Sequence, residues 1–185
     1  HLVVVDRLKD VTRLANGETF APQYLENKLK FSPYIKEAVV VGQDRPYVGA
    51  LVNIDMANVG KWAERRQIAY TTYTDLAQKP PVYDLIQREV ERVNRDLPEP
   101  TRIQRYVLLH KELDPDDEEV TRTRKVRRRI VVQKYVSIIE ALYSEAAFVP
   151  VVAEVTYQDG RRATLETTLR IRSVAEPVAL AGATA

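Results

Sequence analysis

Between Thr121 and Arg129 the chain reads Thr-Arg-Thr-Arg-Lys-Val-Arg-Arg-Arg, with five Arg and one Lys in the last eight of those positions. Guanidinium and ammonium groups form charge-assisted hydrogen bonds to phosphate oxygens, so the run suits either a nucleic acid or a nucleotide-like ligand. By default, a run of like charge is a solvated face. Its setting argues against a polymer partner: the acidic stretch Asp114-Pro115-Asp116-Asp117-Glu118-Glu119 lies next door, and no aromatic side chain interleaves with the basic ones. Two further stretches draw attention. Asp6-Arg7-Leu8-Lys9-Asp10 reads as a charged turn or hinge between short apolar runs. Asn16-Gly17-Glu18 opens with a strong turn signal, because Asn and Gly both tolerate positive φ.

These segments need a scaffold, and 185 residues with 45% hydrophobic content suffice for one domain, or one domain with a small appendage. Lys and Arg total 28 against 26 Asp and Glu, a net charge of +2, which gives no global reason to expect a nucleic acid or an anionic membrane as partner. The lack of Cys excludes a disulfide framework and thiolate metal sites, and is compatible with a reducing compartment. With only His1 and His110, no His-rich metal site is expected. No apolar run approaches bilayer length and the start lacks signal-peptide features, so the chain reads as soluble.

Periodicity supplies the elements. Val3–Val5 and Val11–Leu14 read as short strands, and Pro22 to Lys30 as a helix stopped by Ser32-Pro33. Runs 37–42 and 47–54 read as an antiparallel strand pair, after which Asp55 caps a helix to about Gln67. Tyr70 to Thr74 reads as a connection ending in a new helix start. Val82, Leu85, Ile86, Val90, Val93 and Leu97 recur at steps of three and four, marking an amphipathic helix that ends before Pro98. Arg102 to Leu109 reads as a strand, 114–119 as an acidic solvated loop, and Val131 to Tyr143 as one helix with a broad apolar face. Residues 151–172 read as a separate β-hairpin about Asp159-Gly160, followed beyond Val174 by an Ala-rich tail expected to be disordered. The predicted fold is α+β: a small antiparallel sheet of about three strands flanked by helices, with an N-terminal hinge ribbon and a C-terminal β-hairpin.

Three stretches in order, VVVDRLKDVTRLANGETFAPQYLENKL, SPYIKEAVVVGQDRPYVGALV and EEVTRTRKVRRRIVVQKYVSIIEALY, resemble the C-terminal domain of adenylate-forming enzymes, specifically bacterial long-chain acyl-CoA synthetases. The resemblance covers residues 1 to about 145. It implies a small lid, domain 1–145, completing a large N-terminal domain that holds ATP, Mg²⁺ and fatty acid; 146–174 is then a hairpin extension and 175–185 a tail. The large domain's ATP-gripping and acyl-pocket motifs do not occur here. Leu2-Val3-Val4-Val5 is apolar from the second position, where natural termini usually fray through polar residues, and the start accordingly reads as an excised lid cut near its hinge.

The resemblance also implies roles. Lys125, where relatives commonly have Thr-Pro-Thr-Leu-Lys, is the cation that bridges carboxylate and α-phosphate. Arg122 and Arg124 replace the usual Pro and Leu, which leaves open whether Lys125 or a neighbouring Arg points inward. Arg7 reaches the nucleotide, with a surface ion pair to Asp6 or Asp10 as its alternative, and Lys9 is the hinge. Asn16, Gly17 and Glu18 match the loop that meets CoA after lid rotation, with an ordinary turn as the alternative. Glu26 also matches a family position and would fix that loop. The implied substrates are fatty acid, ATP and CoA, with no nucleic acid and no metal held by this chain. The implied location is cytoplasmic, and peripheral membrane contact of the full enzyme would suit a fatty-acyl substrate. Two alternatives stand beside this reading: the lid of another acyl- or aryl-CoA synthetase, and a non-enzymatic module binding acidic partners through residues 122–129.

Overall fold

Strands β3 (Ile35–Val41) and β4 (Val48–Ile54) are apolar at nearly every position, because both faces of the sheet they form are covered. They pair antiparallel, with Val39 opposite Leu51. The computed structural model describes residues 11–156 and 159–174, so the strand expected at Val3–Val5, the hinge residue Lys9, Arg7 and the tail 175–185 lie outside the described residues.

Helix α1 (Pro22–Lys30) carries Pro in its first turn, where a missing N–H leaves no bond unmade. Helix α2 (Met56–Arg65) is capped by Asp55, whose carboxylate accepts the Asn58 N–H at 3.0 Å. After the short α3 (Tyr73–Ala77) and the long α4 (Pro80–Arg95), β5 (Ile103–Leu108) returns alongside β4. Alternate strand residues serve two cores. Ala38, Val40, Ala50 and Val52 pack against Leu25, Leu29, Trp62, Ile86 and Val90 of the helices before β5. Val39, Leu51 and Val107 meet Val131, Ile138 and Leu142 from α5 (Arg128–Lys134) and α6 (Val136–Leu142).

The α+β class and the antiparallel β3–β4 pair are as expected, while three details differ. First, β5 pairs parallel with β4, so the sheet is mixed; the intervening helices form the crossover that a parallel return requires. Second, the hairpin β6 (Phe148–Thr156) and β7 (Arg162–Ser173) is not separate. Strand β7 pairs antiparallel with β5, Val107 opposite Ile171, giving a five-stranded order β3-β4-β5-β7-β6. Turn chemistry at Asp159-Gly160 fixes the β6–β7 partnership but carries no information about the distant strand that β7 will join. Third, the single helix expected over 131–143 is divided at Tyr135, which departs from helical geometry with φ −104° and ψ 25°. The N-terminal ribbon among the described residues is β1 (Thr12–Arg13) with β2 (Thr19–Phe20), closed by the Asn16-Gly17 turn.

Tyr83 on α4 stitches the hairpin to the domain. Its hydroxyl donates to the Arg170 carbonyl at 2.6 Å and accepts the Leu108 N–H at 3.2 Å, joining β5 and β7 from one side. Burial pushes its pKa up to about 12, which keeps the phenol protonated as a donor. Gln78 reinforces the junction by accepting the Arg170 N–H at 3.0 Å. Removing the hydroxyl strands buried main-chain groups. Tyr83→Phe is therefore expected to lower stability by about 1–3 kcal/mol in urea unfolding, and to speed amide exchange of Leu169–Arg172 more than that of β3.

Candidate functional site

The basic run divides into a closed loop and a helix start. Val120 and Val126 form an antiparallel bridge. Between them the Thr121 N–H donates to the Lys125 carbonyl at 2.8 Å, the Arg124 N–H to the Thr121 carbonyl at 2.9 Å, and the Lys125 N–H to Thr121 Oγ1 at 3.0 Å. Arg124 sits at φ +67°, a left-handed conformation that costs a non-glycine residue of order 1–3 kcal/mol. Arg122, Thr123, Arg124 and Lys125 are all exposed. Among the described residues, Arg122, Arg124, Lys125, Arg127 and Arg129 make no ion pair, so the loop presents uncommitted cations.

Arg128 is the exception. It pairs with Glu26 of α1 and donates to the Val40 carbonyl at 2.8 Å, while Glu26 accepts the Val40 N–H at 3.0 Å. Two segments far apart in sequence thus grip one residue's backbone from both sides. Glu26 is buried, and that burial raises its pKa above 4.5 in spite of the opposing pull of Arg128.

The Asn16-Gly17-Glu18 turn is exposed and self-contained. Asn16 Oδ1 accepts the Glu18 N–H at 2.9 Å, and Gly17 adopts φ +90° with open space where a Cβ would stand. Behind it, Leu14 and Phe20 pack on Gly42, where a Cβ would meet the Phe20 ring at 2.7 Å. Ala15 donates to the Arg45 carbonyl at 2.9 Å, fastening the ribbon to the β3–β4 turn. No hydrogen bond or ion pair among the described residues joins this turn to the 121–125 loop; the Glu26–Arg128 pair joins the elements that follow each, α1 and α5. A small cavity of about 180 Å³ lies between the ribbon and α5–α6, lined in part by Thr12, Pro22, Gly42, Arg45 and Arg128.

Sequence reasoning misses the support beneath the loop. The stretch 114–119 is not wholly solvated, since Glu119 is 1% exposed. Its carboxylate accepts Tyr135 Oη at 2.6 Å, Lys111 Nζ at 3.0 Å and the Asp114 N–H at 2.9 Å. Nothing in an acidic run tells its last member from the others except the apolar Val120 that follows. Glu119, Tyr135 and Lys111 line an open cleft of about 850 Å³, bounded also by His110, Ile138, Val152 and Glu166. Burial, aided by Lys111, lowers the His110 pKa below 6.5 and favours the neutral imidazole. Among the described residues, no group of three or more His, Asp or Glu is arranged to hold a metal ion, and no helix is long and apolar enough to cross a membrane.

The Glu26–Arg128 pair gives a pH-dependent expectation. A carboxyl raised on folding favours the folded state fully below 4.5 and loses that contribution as pH rises through its folded value. Deleting the guanidinium leaves burial unopposed and moves that value further up. Arg128→Ala is expected to cost about 1–3 kcal/mol at neutral pH, with the difference from wild type shrinking as pH falls through the two raised folded values and levelling off by 4.5. A pH series of urea unfolding curves checks it.

Residues 9–147 match the family model described as the AMP-binding enzyme C-terminal domain. Over 145 residues the chain is 34% identical to the long-chain-fatty-acid–CoA ligase FadD15 of Mycobacterium tuberculosis, covering 78% of this chain and 24% of that protein. Human long-chain-fatty-acid–CoA ligase ACSBG1 is 25% identical over 162 residues, covering 78% of this chain and 22% of its own length. The chain thus spans about a quarter of these relatives. Among solved structures, the adenylation domain of a carboxylate reductase from Mycobacterium chelonae superposes with a TM-score of 0.58 at 25% identity, over 75% of this chain and 20% of that one. The A-PCP didomain of carboxylic acid reductase from Segniliparus rugosus, in complex with AMP, gives 0.58 at 22% identity, over 75% and 18%. With a match over most of its length and a shared α+β fold, this chain belongs to the AMP-binding enzyme C-terminal domain family.

Proposed function

We propose that this chain is the C-terminal lid of a long-chain fatty acid–CoA ligase, which joins a fatty acid to AMP and then passes the acyl group to CoA. The observation that carries the reading is Lys125, an exposed and unpaired cation on a closed loop, inside the span matched by the family. A carboxylate is a poor acyl donor because its oxygen leaves badly. In the first half-reaction its oxygen attacks the α-phosphorus of ATP and the bond to pyrophosphate breaks. Negative charge then crowds between carboxylate and phosphate, and an ammonium placed there stabilises the transition state more than the ground state. Lys suits the task, since its compact charge on a flexible stem can bridge both groups. In the second half-reaction the CoA sulfur attacks the acyl carbon, its proton is lost, and AMP departs.

On this reading 1–145 is the lid and 146–174 a hairpin extension. Lys9 is the hinge whose torsions absorb the rotation between half-reactions, and its side chain matters less than its backbone freedom. Arg7 reaches the ribose or phosphate of the nucleotide. Asn16, Gly17 and Glu18 face CoA once the lid has turned; the exposed turn with open space at Gly17 supports this by leaving room for a pantetheine arm. ATP, its Mg²⁺ and the fatty acid are held mainly by the large domain, and this chain contributes no metal ligand. A cytoplasmic location accords with a chain that contains no Cys. A second reading, an adenylating lid that serves another acyl acceptor, draws on the fold shared with the Mycobacterium chelonae adenylation domain.

The test uses the full-length enzyme that contains this chain, with palmitate-dependent pyrophosphate release and CoA-thioester formation followed separately. Lys125→Ala is expected to lower pyrophosphate release roughly a hundredfold while sparing thioester formation from preformed acyl-AMP. Lys9→Pro is expected to do the reverse. Two variants that both behave as wild type would sink the reading, and a product other than the CoA thioester would favour the second one. The isolated chain is expected to show no turnover above its own Lys125→Ala control.

A further inference from the structure

The loop that carries Lys125 has an internal shape but little of its own anchorage. Its hydrogen bonds close on themselves between Thr121 and Lys125, and its side chains from Arg122 to Lys125 are exposed. What fixes it to the domain lies at its stem, where Val120 is buried and Val126 half-buried. One residue earlier, Glu119 bonds in both directions along the chain. Its N–H donates to the Asp114 carbonyl at 3.1 Å, and its carbonyl accepts the Arg127 N–H at 2.8 Å on the far side of the loop.

Its side chain adds three tethers from different parts of the fold. Lys111 Nζ, at 3.0 Å, belongs to the segment leaving β5. Tyr135 Oη, at 2.6 Å, comes from the junction of α5 and α6, and the Asp114 N–H, at 2.9 Å, from the stem itself. A 1% exposed carboxylate that satisfies three donors cannot rotate away without leaving them unpaired in a buried place. Burial raises the Tyr135 pKa, and hydrogen bonding to Glu119 raises it further, so the phenol stays protonated and donates. Lys111 is also held by Asp117, which adds a second acidic contact to the same cluster.

We propose that Glu119 is a positioning residue for Lys125: through its carboxylate and its main chain it sets where the 121–125 loop stands relative to the sheet. The inference rests on the proposed role of Lys125 in the adenylating step. A misplacement of about 1 Å in a group that must bridge two reacting centres can cost on the order of a hundredfold in rate. Glu119 touches no substrate in this scheme and acts only by placing the lysine.

In the full-length enzyme, Glu119→Gln keeps the side chain's size but removes the charge that holds Lys111. Tyr135→Phe removes one donor by deleting a single hydroxyl, and serves where the first variant folds poorly. Both are expected to lower pyrophosphate release at least about tenfold, with thioester formation from preformed acyl-AMP within about twofold of wild type. Glu119→Gln combined with Lys125→Ala is expected to be no slower in pyrophosphate release than Lys125→Ala alone, because a displaced lysine and an absent one are equivalent. Amide exchange over 121–126 is expected to accelerate in both single variants.

A merely structural Glu119 would slow both half-reactions together and multiply the effect of Lys125→Ala, and either result overturns the proposal. So does unchanged exchange over 121–126 in both single variants. If Lys125→Ala itself leaves pyrophosphate release intact, the reading of the lysine has failed, and accelerated exchange then shows a loop anchor without a catalytic purpose, which also overturns the positioning role.

Discussion

Parallel pairing of β4 with β5 is the constraint on which the arrangement of this domain turns. Two parallel neighbours must be joined by a crossover, so the stretch holding α2, α3 and α4 is committed to one face of the sheet, and its apolar sides build the first core. Parallel pairing also sends the chain out of β5 at the same end as β4. Asn53, 1% exposed near the end of β4, receives it there: its amide donates to the Lys111 carbonyl at 2.7 Å and accepts the Leu113 N–H at 3.0 Å. An antiparallel β5 would have delivered residues 109–127 to the opposite end. The location of the basic loop is therefore a consequence of strand direction.

Two buried carboxylates then convert that location into a defined geometry. Glu119 ties the stem of the loop to the end of β5 and to the α5–α6 junction, while Glu26 ties Arg128, just past the loop, to Val40 in β3 and to α1. The cost of burying each carboxylate is offset by hydrogen bonds from several donors, which also makes their placement specific. Between the two anchors Arg122, Arg124, Lys125 and Arg127 stand exposed and, among the described residues, make no ion pair. Charge is accordingly spent in two ways within nine residues: Arg128 holds structure, and Lys125 is left free.

The hairpin extends the sheet by two strands. Its inner end is locked by Tyr83, Gln78 and the Arg172–Asp84 pair, and Leu169 and Ile171 belong to the second core. Phe148, Val152 and Leu165 are more open, at 50%, 60% and 47% exposure on and beside the strand that ends the sheet. The family match stops at residue 147, and the hairpin covers the edge that β5 would otherwise present.

Much of the local structure was written in the residues themselves. Pro22 and Asp55 mark helix starts, the spacing from Val82 to Val93 marks the face of α4, and Asp159-Gly160 marks the hairpin. The Asn16-Gly17 turn was recognisable from turn chemistry, because that signal lies within a few adjacent positions. What only the tertiary structure decided are the relations between distant segments. The direction of β5, the joining of β7 to it, the division of the last helix pair at Tyr135 and the burial of Glu119 each depend on partners far along the chain. A carboxylate in an acidic run looks solvated until the fold brings a lysine, a tyrosine and a backbone N–H to it. Charge and hydropathy are properties of single residues, whereas burial and pairing are properties of their assembly.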